Sequence, residues 1–181
     1  MKTFKEKQKE ASVHLKKELG RDNAMALPKI VKVAINTSTG SSRDKDRNEF
    51  IVGRLSKITG QRPAFRGAKK SIASFKLRQG DKIGIMATLR GEKMNLFLDK
   101  LINIAIPRTR DFRGLNKSGI DEMGNLTIGV KEHTVFPETA DEDLRDVFGM
   151  SITIVTTARN KREAEALFTQ LGFPFNKLKK V

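Results

Sequence analysis

Two stretches of the chain alternate between apolar and polar residues, which is the pattern of a β-strand with one face in a core. In KIVKVAINTST (residues 29–39), Val31, Val33 and Ile35 would point one way and the residues between them the other. KIGIMATLRG (82–91) repeats the alternation. Other runs predict three more extended segments, which are QRPAF (61–65), LTIGVKEHTVF (126–136) and SITIVTTA (151–158).

Four further stretches carry apolar residues three and four positions apart, which is typical of helices packed by one face. Acidic residues open the second of them, where the helix dipole favours negative charge, and Gly60 ends it. Pro107 ends the third. In the fourth, Asn160 and Glu163 fit a capping box and Gly172 fits the residue after the helix. The four predicted helices are residues 2–19, 44–60, 92–106 and 160–172.

The order of these elements predicts an α+β fold, in which helices cover one face of an antiparallel sheet. We expect the other face to stay polar and basic, and a basic loop to project between the second and third strands. The residues between Pro107 and Asn125 are rich in glycine and charge and are predicted to be irregular. We predict one domain, 1–181, made of a basic helix (1–20), an α+β core (27–175) and a basic tail (176–181).

Charge is distributed unevenly along the chain. The net charge is +15, and residues 1–110 hold 26 basic and 10 acidic side chains, whereas residues 111–181 hold 10 and 11. Such an excess opposes compaction, so a polyanionic partner is expected for the first part. Without cysteine, disulfides and thiolate sites are excluded. No apolar run approaches the roughly 20 residues of a membrane span, and residues 1–20 lack a hydrophobic signal core, so we expect an intracellular protein.

The strongest local signal is QRPAFRGAKKSIASFKLRQGDK (61–82), with seven Lys or Arg against one Asp. A charge run is most often a solvated loop. This one is long, lies between two patterned strands, and contains Ile72, Phe75 and Leu77 among its charges. We interpret it as a finger whose basic side chains meet phosphates. The apolar residues would stiffen it, above all Ile72 and Leu77, or lie against ribose and base faces.

No catalytic constellation is evident. His14 lies in the basic helix and His133 in a predicted strand, and neither has partners for a triad. RGAKKS lacks the glycine spacing of a phosphate-binding loop. The paired carboxylates of an acidic cluster could bind magnesium. We favour a solvated acidic turn, or a surface that contacts a basic protein, as the interpretation. The cluster comprises Asp141, Glu142, Asp143 and Asp146. We therefore expect no enzyme activity, no cofactor and no metal.

Several motifs resemble those of one family. They are ITGQRPAFRGAKKSIASFKLRQGDKIGIMATLRGEKM, IPRTRDFRG, GNLTIGVKEHTVFPE, GMSITIVTTA and LGFPF, in that order between about residues 27 and 175. The chain is similar to the fifth protein of the large ribosomal subunit, bacterial type, which binds 5S rRNA in the central protuberance. It departs from the family at Asn95 and Leu126, where tyrosine is frequent, and in FPETADED after residue 135.

The resemblance implies a cytoplasmic ribosomal protein whose partners are 5S rRNA, P-site tRNA, other large-subunit components and a small-subunit protein. Some of the expected rRNA-binding residues are those predicted on the polar face of the sheet. The full set is Lys32, Asn36, Gln61, Arg66, Thr88 and Arg90. The expected tRNA-binding residues are Lys69, Lys70, Ser71, Lys76 and Arg78. The acidic residues Glu138, Asp141, Glu142, Asp143 and Asp146 are assigned to the small-subunit contact, since ribosomal partners are mostly basic.

Two alternatives stay open at this point. A general RNA chaperone would use the same basic face with little selectivity among RNAs. An RNA-processing enzyme would need the acidic cluster and magnesium beside the basic face, whereas the sequence puts most carboxylates in the other part of the chain. Neither a membrane nor a small-molecule substrate is expected.

Overall fold

Five strands form one antiparallel sheet in the order β2-β3-β1-β5-β4. The structure is a computed structural model that describes residues 3–21, 23–40, 44–110, 112–139 and 147–176. Its strands are β1 Ile30–Ser38, β2 Ala64–Gly67, β3 Lys82–Leu89, β4 Leu126–Val130 and β5 Met150–Thr156. The helices are α1 Phe4–Leu19, α2 Lys45–Thr59, α3 Gly91–Lys100 and α4 Lys161–Gln170. The predicted α+β class is confirmed.

The alternating patterns became strands, with two corrections. Val33 and Ile35 of β1 are fully buried, but Val31 is 42% exposed and Ile30 is buried in its place. The predicted strand 126–136 ends at Val130, so its second half is wrong. There the chain turns back on His133, whose carbonyl oxygen accepts from the Phe136 N–H at 3.1 Å. These local bonds replace a strand ladder, and His133 lies in a short 3₁₀ turn.

Helix ends follow the predicted signals in α2 and only in part in α4. Gly60 adopts the left-handed conformation (φ 63°) that ends α2. At α4, the Asn160 side chain accepts from the Glu163 N–H at 3.0 Å, as a cap should. The Glu163 carboxylate, however, accepts from the N–H of Arg159 rather than that of Asn160. The capping box is therefore only half formed, because the same carboxylate also pairs with Arg21.

The third predicted helix changes its winding before Pro107. After α3, residues Leu101–Ala105 form a turn of π-helix, with the Ile106 N–H donating to the carbonyl oxygen of Leu101 at 2.9 Å. Leu101 and Ala105 in this turn are buried. Between Pro107 and β4, the described residues form a short 3₁₀ turn, Lys117–Gly119, and isolated bridges at Leu115 and Ile120, in agreement with the irregular segment predicted there.

The chain divides into two compact units, each built from separate pieces of sequence. The first contains Met1–Val33, Arg90–Ile128 and Thr153–Val181, and the second contains Ala34–Leu89 and Gly129–Ile152. In the first unit, α1 packs on α3 and α4, and its Phe4 and Leu15 are almost fully buried. In the second unit, α2 packs on β3, and Leu55 and Ile85 are fully buried. No described helix has the length and apolarity needed to cross a membrane. The one-domain organisation stays a prediction.

Candidate RNA interface

The basic loop, residues Ala68 to Asp81, joins β2 to β3 and is held by its own backbone. At its root, the Ala68 N–H donates to the Asp81 carbonyl oxygen at 2.8 Å. Farther out, Ile72 and Leu77 exchange two backbone hydrogen bonds of 2.9 and 3.1 Å. A 3₁₀ turn, Ala73–Phe75, closes the tip. Ile72 and Leu77 are therefore joined by a backbone bridge across the loop, and their role in stiffening it stays a prediction.

Two side chains fix the return arm of the basic loop. The Ser71 hydroxyl oxygen accepts from the Gln79 N–H at 2.9 Å, and the Asp81 carboxylate accepts from the Arg78 N–H at 2.9 Å. All five loop residues predicted to bind tRNA are exposed, and they are Lys69, Lys70, Ser71, Lys76 and Arg78. Phe75 at the tip is 75% exposed. The loop thus presents four cations and one aromatic ring on a hydrogen-bonded hairpin.

Three predicted RNA-binding residues converge beside the loop. Asn36 of β1, Arg66 of β2 and Lys69 of the loop line one cavity of about 690 Å³. Thr37 and Gly84 also line it, and Oγ1 of Thr37, though buried, has no hydrogen-bond partner in the described part of the chain. The strand pairing explains the convergence, since Arg66 lies opposite Gly84 in the β2–β3 register. An amide, a guanidinium and an ammonium group therefore share one concave surface.

Gln61 and Thr88 form a second pair. The Gln61 side-chain amide donates to the backbone oxygen of Thr88 at 3.4 Å. Behind it, the Thr59 hydroxyl shares its one hydrogen between the Gln61 backbone oxygen, at 2.8 Å, and that of Leu55, at 2.7 Å. These bonds fix the chain leaving α2, so that the half-buried Gln61 is held against the end of β3.

The remaining predicted residues lie elsewhere. Lys32, half-buried in β1, and Arg90, exposed just before α3, belong to the first compact unit, whereas Asn36, Gln61, Arg66 and Thr88 belong to the second. Among the acidic residues, Glu138 is exposed in a short 3₁₀ turn. The other four, Asp141, Glu142, Asp143 and Asp146, lie outside the described residues.

His133 has a structural environment. Its ring stacks on Phe148 with centroids 4.3 Å apart and meets the edge of Phe50. Burial, and then the nearby charge of Arg54, lower the pKa of His133 below its usual 6.5. A neutral imidazole packed between two rings supports the core of the second unit, in line with a structural role.

Two features of the second compact unit were not predicted from the sequence. The Lys82 ammonium lies 4.4 Å from the centroid of the Phe65 ring, a cation–π contact on β2 and β3. Asn48 is buried in α2, and its Oδ1 has no hydrogen-bond partner. A signal for Asn48 existed, because it precedes Ile51 and Leu55 at the three- and four-residue spacing of the apolar stripe.

A basic loop on an antiparallel sheet, with amide and guanidinium groups beside it, is typical of an RNA-binding protein of the α+β class. Comparison with known proteins specifies the class. Residues 23–78 match the family described as Ribosomal protein L5, and residues 82–175 match the model that describes the C-terminus of the same ribosomal family. The chain belongs to the ribosomal protein L5 family, bacterial type.

Ribosomal proteins from several bacteria are similar to the chain over most of its length. The chain is 46% identical over 166 residues to large ribosomal subunit protein uL5 of Ureaplasma urealyticum serovar 10, covering 91% of this chain and 90% of the relative. It is 47% identical over 169 residues to the uL5 protein of Anaeromyxobacter sp., covering 93% and 94%. For uL5 of Synechococcus sp. the identity is 46% over 162 residues, covering 89% and 90%.

Family membership fixes the general role. The chain is a structural, non-enzymatic constituent of the large ribosomal subunit, and its partners are rRNA and other ribosomal components. Its place is therefore in the ribosome, in the cytoplasm.

Proposed function

We propose that the chain binds 5S rRNA in the central protuberance through polar residues of the sheet, and contacts P-site tRNA through the basic loop. The observation that carries the proposal is the shared cavity of Asn36, Arg66 and Lys69, which links the sheet to the root of the loop. The proposed rRNA-binding set is Lys32, Asn36, Gln61, Arg66, Thr88 and Arg90. The proposed tRNA-binding set is Lys69, Lys70, Ser71, Lys76 and Arg78.

The polar residues of the sheet and the basic loop would bind RNA through different interactions. Amide and guanidinium groups held by strand register are suited to irregular RNA, whose unpaired bases and 2′-hydroxyls are accessible. Gln61 is held by a backbone contact to Thr88, so little side-chain freedom is lost when it meets RNA. This preorganisation supports shape-selective binding of one rRNA.

The basic loop is suited to phosphate contact. Four of its side chains are cationic and exposed, and its backbone hydrogen bonds keep them on a narrow hairpin. Each phosphate that it neutralises releases counterions, so binding through the loop should weaken steeply with salt. Phe75 at the tip offers a ring face for a base or ribose.

A small-subunit protein is the third proposed partner. The acidic stretch from residue 138 to residue 146 would meet its basic surface, because long-range attraction between opposite charges speeds and orients association. Within the described part of that stretch, Glu138 is exposed. Reversing the charge of these acids should weaken the contact between the subunits, and an unchanged contact would refute the assignment.

The test is a binding titration against 5S rRNA and against a structured RNA of equal length, each at two salt concentrations. One variant carries Lys69→Ala, Lys70→Ala, Lys76→Ala and Arg78→Ala in the loop. A matched control removes four exposed charges from helices, with Lys16→Ala, Lys17→Ala, Lys161→Ala and Arg162→Ala. We expect selectivity for 5S rRNA to survive higher salt and the loop variant.

A parallel titration with deacylated tRNA tests the loop. The loop variant should lose tRNA binding, with a smaller salt dependence, while the helix control keeps it. Equal binding of both RNAs that collapses with salt would instead show a general polyanion binder of the chaperone type, and the specific proposal would fail.

A further inference from the structure

A cavity of about 430 Å³ lies beside the root of the basic loop. We call it the root cavity. It is formed by the first turns of α2 and by the neighbouring ends of β2, β3 and the loop, all in the second compact unit. Its volume falls within the range of about 300–1,000 Å³ that is common for small-ligand sites. None of the residues assigned above to rRNA or tRNA lines it.

The root cavity contains a buried acceptor without a partner. Asn48 lines the cavity with 7% of its surface exposed, and no group of the described residues bonds its Oδ1. Buried side-chain polar atoms nearly always have a hydrogen-bond partner, so each exception needs an explanation. A ligand that donates a hydrogen bond into the cavity would supply the missing partner.

The walls around Asn48 are apolar and partly aromatic. Phe65, Leu77 and Ile83 line the cavity. Lys82 holds its ammonium 4.4 Å from the Phe65 ring centroid. This combination of a flat apolar wall with one inner acceptor fits a planar heterocycle that carries an N–H donor.

The charges on the rim favour a neutral occupant. Lys45 and Lys82 are balanced by Glu49 and Asp81, and the Asp81 carboxylate already accepts from the Arg78 N–H. A phosphate site would show an excess of positive charge, and the described residues that line this cavity show none. A base is neutral, while the phosphates on either side of it would lie outside, near the exposed Lys45 and Lys82.

We propose that the root cavity accepts one unpaired nucleobase of the bound RNA, whose exocyclic amine donates a hydrogen bond to Oδ1 of Asn48. This rests on the proposed function, since the RNA that delivers the base is the proposed rRNA. Adenine, cytosine and guanine carry such an amine, whereas uracil presents carbonyl oxygens beside its N–H. The cavity therefore selects a base with an exocyclic amine over uracil.

Three variants test the cavity against 5S rRNA. Asn48→Leu removes the acceptor and keeps the side-chain size, and Phe65→Ala removes the flat wall. The matched control is Asn95→Leu, because Oδ1 of Asn95 is also buried without a partner but lines a different cavity, in the first compact unit. We expect Asn48→Leu to bind about 5- to 10-fold more weakly and Asn95→Leu to bind like the parent chain.

A second measurement does not depend on which RNA is bound. ¹⁵N-labelled protein is titrated with adenosine monophosphate and with uridine monophosphate while the amide resonances of the lining residues are followed. Larger shifts with the adenine nucleotide, lost in Asn48→Leu, are expected.

The outcomes separate the two proposals. Selective 5S rRNA binding that is unchanged in both Asn48→Leu and Phe65→Ala overturns the root cavity and leaves the proposed function standing. Absence of 5S selectivity in the parent chain overturns the proposed function. The nucleotide titration then decides the cavity, which fails if adenine and uracil nucleotides shift the lining residues equally.

Discussion

Arg21 and Glu163 form a bidentate ion pair that joins the end of α1 to the first turn of α4. Both guanidinium NH groups donate, one to each carboxylate oxygen, across 142 positions of sequence. Only 26% of the Arg21 side chain and 10% of the Glu163 side chain are exposed. Glu163 also accepts from the N–H of Arg159, so one carboxylate ties together the N-terminal helix and the α4 cap.

Removing that carboxylate should destabilise the protein. We expect Glu163→Ala to lower the free energy of unfolding by about 2–3 kcal/mol, because it removes the charged partner of a partly buried guanidinium, which keeps its bond to the Ala26 carbonyl oxygen, and leaves the Arg159 N–H without that acceptor. Urea denaturation measures the change. The control is Glu165→Ala, whose partner Lys117 and own side chain are about one third exposed or more, and it should lose less than about 1 kcal/mol. Equal losses would contradict this account.

Two glycines should respond to alanine with opposite signs. Gly124 has φ +78°, and a Cβ there would lie 2.8 Å from the Cβ of Ala158, so Gly124→Ala should cost about 2–4 kcal/mol. Gly53 is exposed inside α2, and a Cβ there meets nothing within 4 Å, so Gly53→Ala should add about 0.5–1 kcal/mol. Thermal melts of both variants give the signs, and a destabilising Gly53→Ala would count against the helix geometry.

His133 should make stability depend on pH. Burial, and then the charge of Arg54, lower the pKa of His133 in the folded protein. At a pH between the lowered pKa and the ordinary one, the unfolded chain therefore binds a proton at this imidazole that the folded chain does not bind. The free energy of unfolding should therefore fall as pH drops from about 6.5 towards the lowered pKa, by up to about 1.4 kcal/mol per pH unit. His133→Gln should flatten this part of the profile. His14→Gln, on the exposed face of α1, is the control and should leave the slope unchanged.

Thr37 should show a conflict between stability and binding. Its side chain is 3% exposed, and Oγ1 has no partner in the cavity that it shares with Asn36 and Arg66. Thr37→Val removes an unsatisfied hydroxyl with little change of shape, so stability should rise by about 1 kcal/mol. If rRNA supplies the missing partner, affinity for 5S rRNA should fall by about 5- to 10-fold. A variant that is more stable with unchanged affinity would remove Thr37 from the proposed interface.

Local pattern was enough to predict most of the elements. The alternation around Val33 and Ile35 and the glycine at position 60 depend on neighbours in sequence, and these predictions are confirmed. Val31 was misplaced because its exposure depends on which other parts of the chain cover the strand. The end of β4 was missed because the turns at His133 arise from bonds between residues three and six positions apart.

The candidate site, too, was predicted only in part from the sequence. The charge of the basic loop is visible in the sequence, and so is its position between two strands. The shared cavity of Asn36 and Arg66 depends on the order of β1, β3 and β2 in the sheet, which no local pattern encodes. The unpaired Oδ1 of Asn48 is a tertiary property as well, since only the packed structure shows that nothing reaches it.

The division of the chain into interleaved pieces also governs how the protein is made. The second unit needs residues up to Ile152, and the first needs residues from both ends of the chain. The second unit is therefore complete in sequence only once Ile152 has been added, and the first only once its last piece, from Thr153 on, has been added. A nascent chain stalled after β3 would carry the whole basic loop but lack Gly129–Ile152 of the second unit. Such a chain would present the cations of the basic loop before the unit that carries the loop is complete in sequence.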